Sequence, residues 1–206
     1  VSPIARSTIK RIAEVRIIPN GIDVSDYTPG AKRSNSVAFL GRDDPRKGLD
    51  VLLDAWPAIR ARSPYATLDV LGAERVAELD GVMFHGRVSD EKKVDVLKRS
   101  AVYVAPNLGG ESFGIVLAEG MAAGCAVVAS ALPAFVKVVG DAGLLVPAGD
   151  AEAIAESVAR LLLDEDVRDG LVAAGLERVK RFDGPVVAAG YVEAYEDAIE
   201  AHGLRG

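Results

Sequence analysis

The chain predicts an α/β fold: a Rossmann-like parallel sheet with helices on both faces and extra helices at the C-terminal end. Short β-branched runs alternate strictly with helical stretches as far as Val146, which implies right-handed crossovers and parallel strands. From Ala151 onward only helical patterns remain. Half of the 206 residues are hydrophobic and 26% are charged, enough to bury a core as one large domain or two small ones.

The strands are expected at Val15–Ile18, Val37–Leu40, Thr67–Leu71, Val82–His85, Val102–Ala105, Ala126–Ala129 and Leu144–Val146. Between them, helical patterns fall at Leu49–Arg62, Glu74–Leu79, Glu91–Arg99, Phe113–Ala123 and Ala134–Val139. Ser89 or Asp90 is a good N-cap for the third of these. The closing helices are expected at Ala151–Leu163, Glu165–Arg181 and Pro185–His202, with Asp183-Gly184-Pro185 as the break before the last. They most simply cover the sheet. There is no internal repeat and no low-complexity segment.

Composition removes several function classes. No apolar run approaches the length needed to span a membrane. A net charge of −6 argues against general nucleic-acid binding, so phosphate recognition would rest on a few placed cations. Cys125 is the single cysteine, which excludes an internal disulfide and a cysteine cage for metal; within its apolar run it reads as core. Two histidines, His85 at a strand end and His202 in a tail, do not make a zinc site. The chain starts with Val and shows no signal-peptide pattern, so it reads as a fragment or a processed chain.

Ligands in parallel sheets bind at the carboxyl ends of the strands, and three segments there carry the chemistry. Residues 109–124 place Glu111 and Glu119, with seven residues between them, in an otherwise apolar, Gly-opened stretch. If the helix starts near Ser112 or Phe113, Glu119 lies roughly 12 Å beyond Glu111. The unpaired amides of that helix start then suit a phosphate. A helix apolar all round is normally buried, and a buried carboxylate is costly without hydrogen-bonding partners, so Glu119 points to function more than Glu111, which could be capping chemistry. The wide spacing fits poorly with a glycosidase acid/base pair.

The second segment, Gly41-Arg42-Asp43-Asp44-Pro45-Arg46-Lys47-Gly48, sets Arg42 and Lys47 beside this anion site, a fork and a point charge suited to a diphosphate. Arg46 reads as a solvated loop charge, and Asp43 and Asp44 as turn and salt-bridge residues. This is not a Walker loop, and no Gly-x-Gly-x-x-Gly follows the first strands. The third segment, Gly86-Arg87-Val88-Ser89, can offer backbone groups to a base edge or form a plain turn.

Taken together, Ile18-Pro19-Asn20-Gly21-Ile22-Asp23, the basic loop and the Glu111–Glu119 block resemble the C-terminal half of retaining glycosyltransferases of the GT-B architecture that carry a Glu-x(7)-Glu signature. The resemblance runs from Ile17 to Tyr195. Gly109–Leu117 with Pro45–Gly48 is most similar to the phosphatidylinositol mannosyltransferases of actinobacteria. One departure is that the basic loop is one residue shorter between Arg42 and Lys47 than in the family pattern.

The resemblance implies a segment at residues 1–19 leading from an absent N-terminal domain, and a sugar-nucleotide domain over residues 20–206. It implies that Glu119 holds the ribose hydroxyls, Glu111 the donor sugar, and Arg42 with Lys47 the diphosphate. Backbone amides of Phe113, Gly114, Ile115 and Val116 would stabilise the departing charge, and Val88 would read the base. The donor would be GDP-mannose, the acceptor phosphatidyl-myo-inositol, and the full-length enzyme cytoplasmic or peripheral at the inner membrane face. No metal or further cofactor is implied, and the isolated half is expected to be inactive. Another UDP or ADP donor, a nucleotide-sugar epimerase of the same architecture, and a nucleotide-binding module without turnover are the alternatives.

Overall fold

The computed structural model describes residues 16–76 and 79–201. Six parallel strands form one sheet: β1 (Arg33–Leu40), β2 (Thr67–Leu71), β3 (Val82–Phe84), β4 (Ser100–Ala105), β5 (Ala126–Ser130) and β6 (Gly143–Val146), in the order β3-β2-β1-β4-β5-β6. The helices are α1 (Leu49–Arg62), α2 (Asp90–Arg99), α3 (Ile115–Ala122), α4 (Pro133–Val139), α5 (Ala151–Leu163), α6 (Glu165–Val179) and α7 (Gly184–Ala201).

Alternation along each strand divides the core. Val37, Phe39, Val102, Val104 and Val128 pack with Leu52 and Trp56 of α1 and Ile154 and Val158 of α5. Their neighbours Ala38, Tyr103, Ala105 and Val127 pack with Leu97 of α2, Leu117 and Met121 of α3 and Phe135 of α4. Strands β4 and β5 are buried throughout, which is why they read as unbroken apolar runs rather than alternating ones. α3 lies flush on β4 because residue 120 is glycine: a Cβ there would stand 2.9 Å from the Tyr103 ring.

The chain leaves β1 towards β2 and β3, then returns to the other side of β1 at β4. The carboxyl ends of β1 and β4 therefore diverge, and their loops face a crevice of the kind in which such folds bind ligands.

Two expected elements are not formed by their described residues. Residues 16–18 are not a strand, and Val15 lies outside the described residues. Arg16 instead pairs with Glu193 and Asp197 of α7, and Ile22 makes a parallel bridge with Asp183, its amide donating to Phe182 O at 2.9 Å while Gly184 N donates to Ile22 O at 2.9 Å. The helix expected at Glu74–Leu79 is absent at residues 74–76 and 79; Ala77 and Glu78 lie outside the described residues. Gly72 N donates to Gly86 O and Gly86 N to Ala73 O, so the connection is pinned to the end of β3, while Arg75 is drawn to Asp43 and Asp50. The helix expected to reach Arg181 ends at Val179 and tightens into a 3-10 turn at Lys180–Phe182, which buries Phe182 edge-on against Phe113 at 5.5 Å. His202 lies outside the described residues.

Candidate functional site

The loop after β1 folds on itself first. Asp44 accepts from Arg46 N and from its guanidinium, and that hydrogen bond holds its carboxyl down to about 2. A 3-10 turn at Pro45–Lys47 follows, and Gly48, at φ +70°, redirects the chain into α1. A Cβ on Gly48 would fall 1.9 Å from Pro106 O, so the β1 loop lies against the β4 loop only because this residue is glycine. Leu108 N donates to Arg46 O at 2.8 Å across the same crossing.

That crossing delivers Lys47 to Glu111. The two form an ion pair, and Asn107 Nδ2 donates to the same Glu111 Oε1 at 2.8 Å. Arg42, just past the end of β1 in the same loop, is exposed and makes no ion pair or side-chain hydrogen bond among the described residues. Arg75 braces the loop from outside through Asp43 and Asp50.

The second carboxylate sits differently. α3 begins at Ile115, not at Ser112 or Phe113, because Gly114 at φ +95° occupies the N-cap. A Cβ there would stand 2.7 Å from the Phe135 ring, and no side chain caps the helix, so its first amides depend on solvent or a ligand. Glu111 precedes the helix, so helical rise does not set its separation from Glu119; Glu119 falls in the second turn. Phe113 and Val116 are half-buried and pack on the core, whereas Ile115 is 40% exposed at the helix start.

Glu119 is 7% exposed, and its Oε1 accepts from Tyr27 Oη at 2.7 Å and Lys93 Nζ at 2.9 Å. Burial, and next the hydrogen bond to Glu119, push the Tyr27 hydroxyl up to about 12. Burial alone would lower the Lys93 ammonium; Glu119 and Tyr27 outweigh it and raise the group. Near neutral pH the carboxylate therefore faces a cation and a neutral donor. Below this pair, Lys32 Nζ donates to Leu97 O of α2 at 3.2 Å and to Ala123 O at the end of α3 at 2.6 Å, tying the helices that carry Lys93 and Glu119.

Val88 is half-buried against the core, in the loop that Ser89 closes by accepting from Lys92 N. Cys125 is buried, and burial pushes its thiol up to about 11, the state of a packed side chain.

Tyr27, Lys93 and Asn107 are site residues that the sequence reading missed. Lys93 was findable: it precedes the buried Leu97 by four residues and so shares its face of α2. Tyr27 and Asn107 carry no such signal.

Residues 34–164 match the family described as Glycosyl transferases group 1. The chain belongs to that family. As a group 1 glycosyltransferase it is 44% identical over 196 residues to the phosphatidyl-myo-inositol mannosyltransferase of Mycolicibacterium smegmatis, covering 87% of this chain and 51% of that protein. The chain thus spans about half the length of the curated relatives it matches. Among solved structures it resembles sucrose-phosphate synthase of Thermosynechococcus elongatus, with a TM-score of 0.80 and 28% identity over 98% of this chain and 58% of that one. It also shares its fold with the C-terminal domain of a group 1 glycosyltransferase, LpcC, of Francisella tularensis, with a TM-score of 0.68 and 20% identity over 78% of this chain and 97% of that one. The α/β fold read from the sequence is therefore that of a GT-B C-terminal domain.

Proposed function

We propose that this chain is the donor-binding half of a retaining glycosyltransferase that moves mannose from GDP-mannose to phosphatidyl-myo-inositol. The observation that carries donor binding is the loop crossing at Gly48 and Pro106, which sets Lys47 against Glu111 beside Arg42 while Glu119 stands on α3 behind an uncapped helix start. Mannose and the lipid acceptor rest on the 44% identity to an enzyme of that name.

In this reading Lys47, Arg42 and the amides of Ile115 and Val116 take up the charge that grows on the leaving diphosphate, which lowers the barrier without an enzymic nucleophile. Glu111 accepts from hydroxyls of the donor sugar, Glu119 from the ribose, and Val88 with its neighbours meets the base. The leaving phosphate takes the acceptor proton. An N-terminal half completes the cleft and brings the acceptor to it. α7 offers that half an apolar stripe, with Val192 and Tyr195 more than half exposed and Ile199 at 41%. The likeness to a phosphatidyl-myo-inositol enzyme is what supports a cytoplasmic full-length enzyme that meets lipid at the inner membrane face.

The test uses the chain joined to its N-terminal half. Calorimetry should show GDP binding that Glu119→Gln weakens by about 1.5 to 3 kcal/mol, the range for hydrogen bonds to a charged group. Glu111→Gln should leave GDP binding nearly unchanged and depress transfer from GDP-mannose to phosphatidylinositol. Equal loss of GDP affinity in both variants would overturn the division of roles, and turnover with a uridine donor alone would overturn the choice of GDP.

A further inference from the structure

The sheet face beside α2 holds a cavity that the donor reading does not use. It measures about 220 Å³ and is lined by Arg33, Asp69, Met83, His85, Lys92 and Arg99, among others. Asp69 and Met83 stand side by side in register on the sheet face that α2 only partly covers, with 22% of the Asp69 side chain and 60% of Met83 exposed. Asp69 projects from the opposite face of β2 to the fully buried Leu68 and Val70, a partly desolvated place where a carboxylate favours a partner. His85 answers it, with Nε2 at 2.6 Å from Asp69 Oδ1.

The charges around this pair are not balanced. In a chain of net charge −6, three cations meet one carboxylate here. Arg99 is paired with Asp95, but the side chains of Arg33 and Lys92 make no hydrogen bond or ion pair among the described residues. Because Asp69 engages Nε2, the second ring nitrogen of His85 is left for another partner. The cavity is smaller than the ~300–1,000 Å³ typical of drug-sized ligand sites, which suits a phosphate carrying little else.

We propose that this cavity binds a phosphate group, through Arg33, Lys92 and His85, as a second anion site apart from the donor crevice. Lys92 lines it while the adjacent Lys93 holds Glu119, so α2 is shared by both sites. The phosphate is that of a small soluble ester, of inorganic phosphate itself, or of a lipid headgroup.

The chain contains two methionines, and they serve as reporter and control: Met83 lines the cavity, whereas Met121, on the core face of α3, is fully buried. With methionine methyl groups labelled with 13C, inorganic phosphate added in the presence of saturating GDP should shift the Met83 signal saturably. An R33Q/K92Q variant should weaken that response at least tenfold while Met121 keeps its native position, which shows that the fold is intact. Phosphatidylglycerol vesicles that move Met83, with phosphatidylcholine vesicles inert, would assign the group to a lipid headgroup; a response to phosphate alone would assign it to a soluble ligand. No Met83 response to either form, an undiminished response in R33Q/K92Q, or suppression of the response by GDP in a competitive manner would overturn the proposal.

Discussion

Glu119 and Glu111 are each held by one lysine and one neutral donor, yet they stand on different supports. Glu119 and Lys93 ride on helices, and Tyr27 ends a 3-10 turn capped by Asp23. Each is fixed by its own element before the three side chains meet. Glu111, Lys47 and Asn107 come from two loops that are aligned by a backbone crossing at a single glycine. One end of the site is therefore held by side chains between rigid elements, the other by main chain between irregular ones. Side-chain changes should damage the first most, and backbone changes the second.

The sharpest way to break the comparison is Gly48→Ala. The left-handed backbone costs about 1–2 kcal/mol for an L-residue, and the 1.9 Å approach to Pro106 O forces the loops apart in addition. A loss of about 3 kcal/mol or more in chemical unfolding is expected, together with loss of the Lys47–Glu111 pair and retention of the Tyr27–Lys93–Glu119 cluster. A variant within about 0.5 kcal/mol of the parent would mean that the crossing is not what aligns Glu111.

Next in size is Lys93→Met, which leaves a nearly buried carboxylate with a single donor. Removing one partner of such a pair costs about 3 kcal/mol. In the Glu119→Gln background the same change should cost much less, and a double-mutant cycle measures the difference. Strict additivity would show that Lys93 stabilises the chain by packing rather than by charge.

The smallest effect is expected from Tyr27→Phe, about 1.5 kcal/mol for a hydrogen bond to a charged acceptor, and it has a pH signature. The folded-state hydroxyl titrates near 12, above its ordinary value of 10, so its contribution is whole below pH 10 and is lost as pH rises through 12. Lys93, also raised, works in the same direction. Denaturation midpoints followed through this alkaline range should fall more steeply for the parent than for Tyr27→Phe; parallel curves would remove Tyr27 from the linkage.

These differences also decide what could be read in advance. The bounds of α1 and α5 were legible because Gly48 and Asp150 punctuate clear helical patterns. Burial of Glu119 was legible because nothing polar surrounds it in sequence. Its pairing was not: the face that Lys93 occupies on α2 could be read, but Tyr27 is 92 residues from Glu119 and Lys93 is 26, and only the sheet order brings them near. The loop pairing of Glu111 depends on how closely two main chains approach, which composition does not encode. The helix expected at 74–79 does not form at its described residues for a related reason: the charged pattern is helical, but Arg75 and the amides near Gly72 find long-range partners instead.

The bridge between Ile22 and Asp183 closes a very long loop. Val24 N donates to Asp183 Oδ1 across a separation of 159 residues at 3.2 Å, and two backbone hydrogen bonds flank it. Loop-closure entropy grows only logarithmically with length, so the whole sheet fits inside that loop at modest extra cost, but so few bonds give little in return until everything between them is ordered. In kinetic terms this is a contact of very high sequence separation and small reward, expected to form after the sheet has assembled and to open before it melts. α7 is therefore expected to detach as a unit before the sheet it closes unfolds, an order that native-state hydrogen exchange would read.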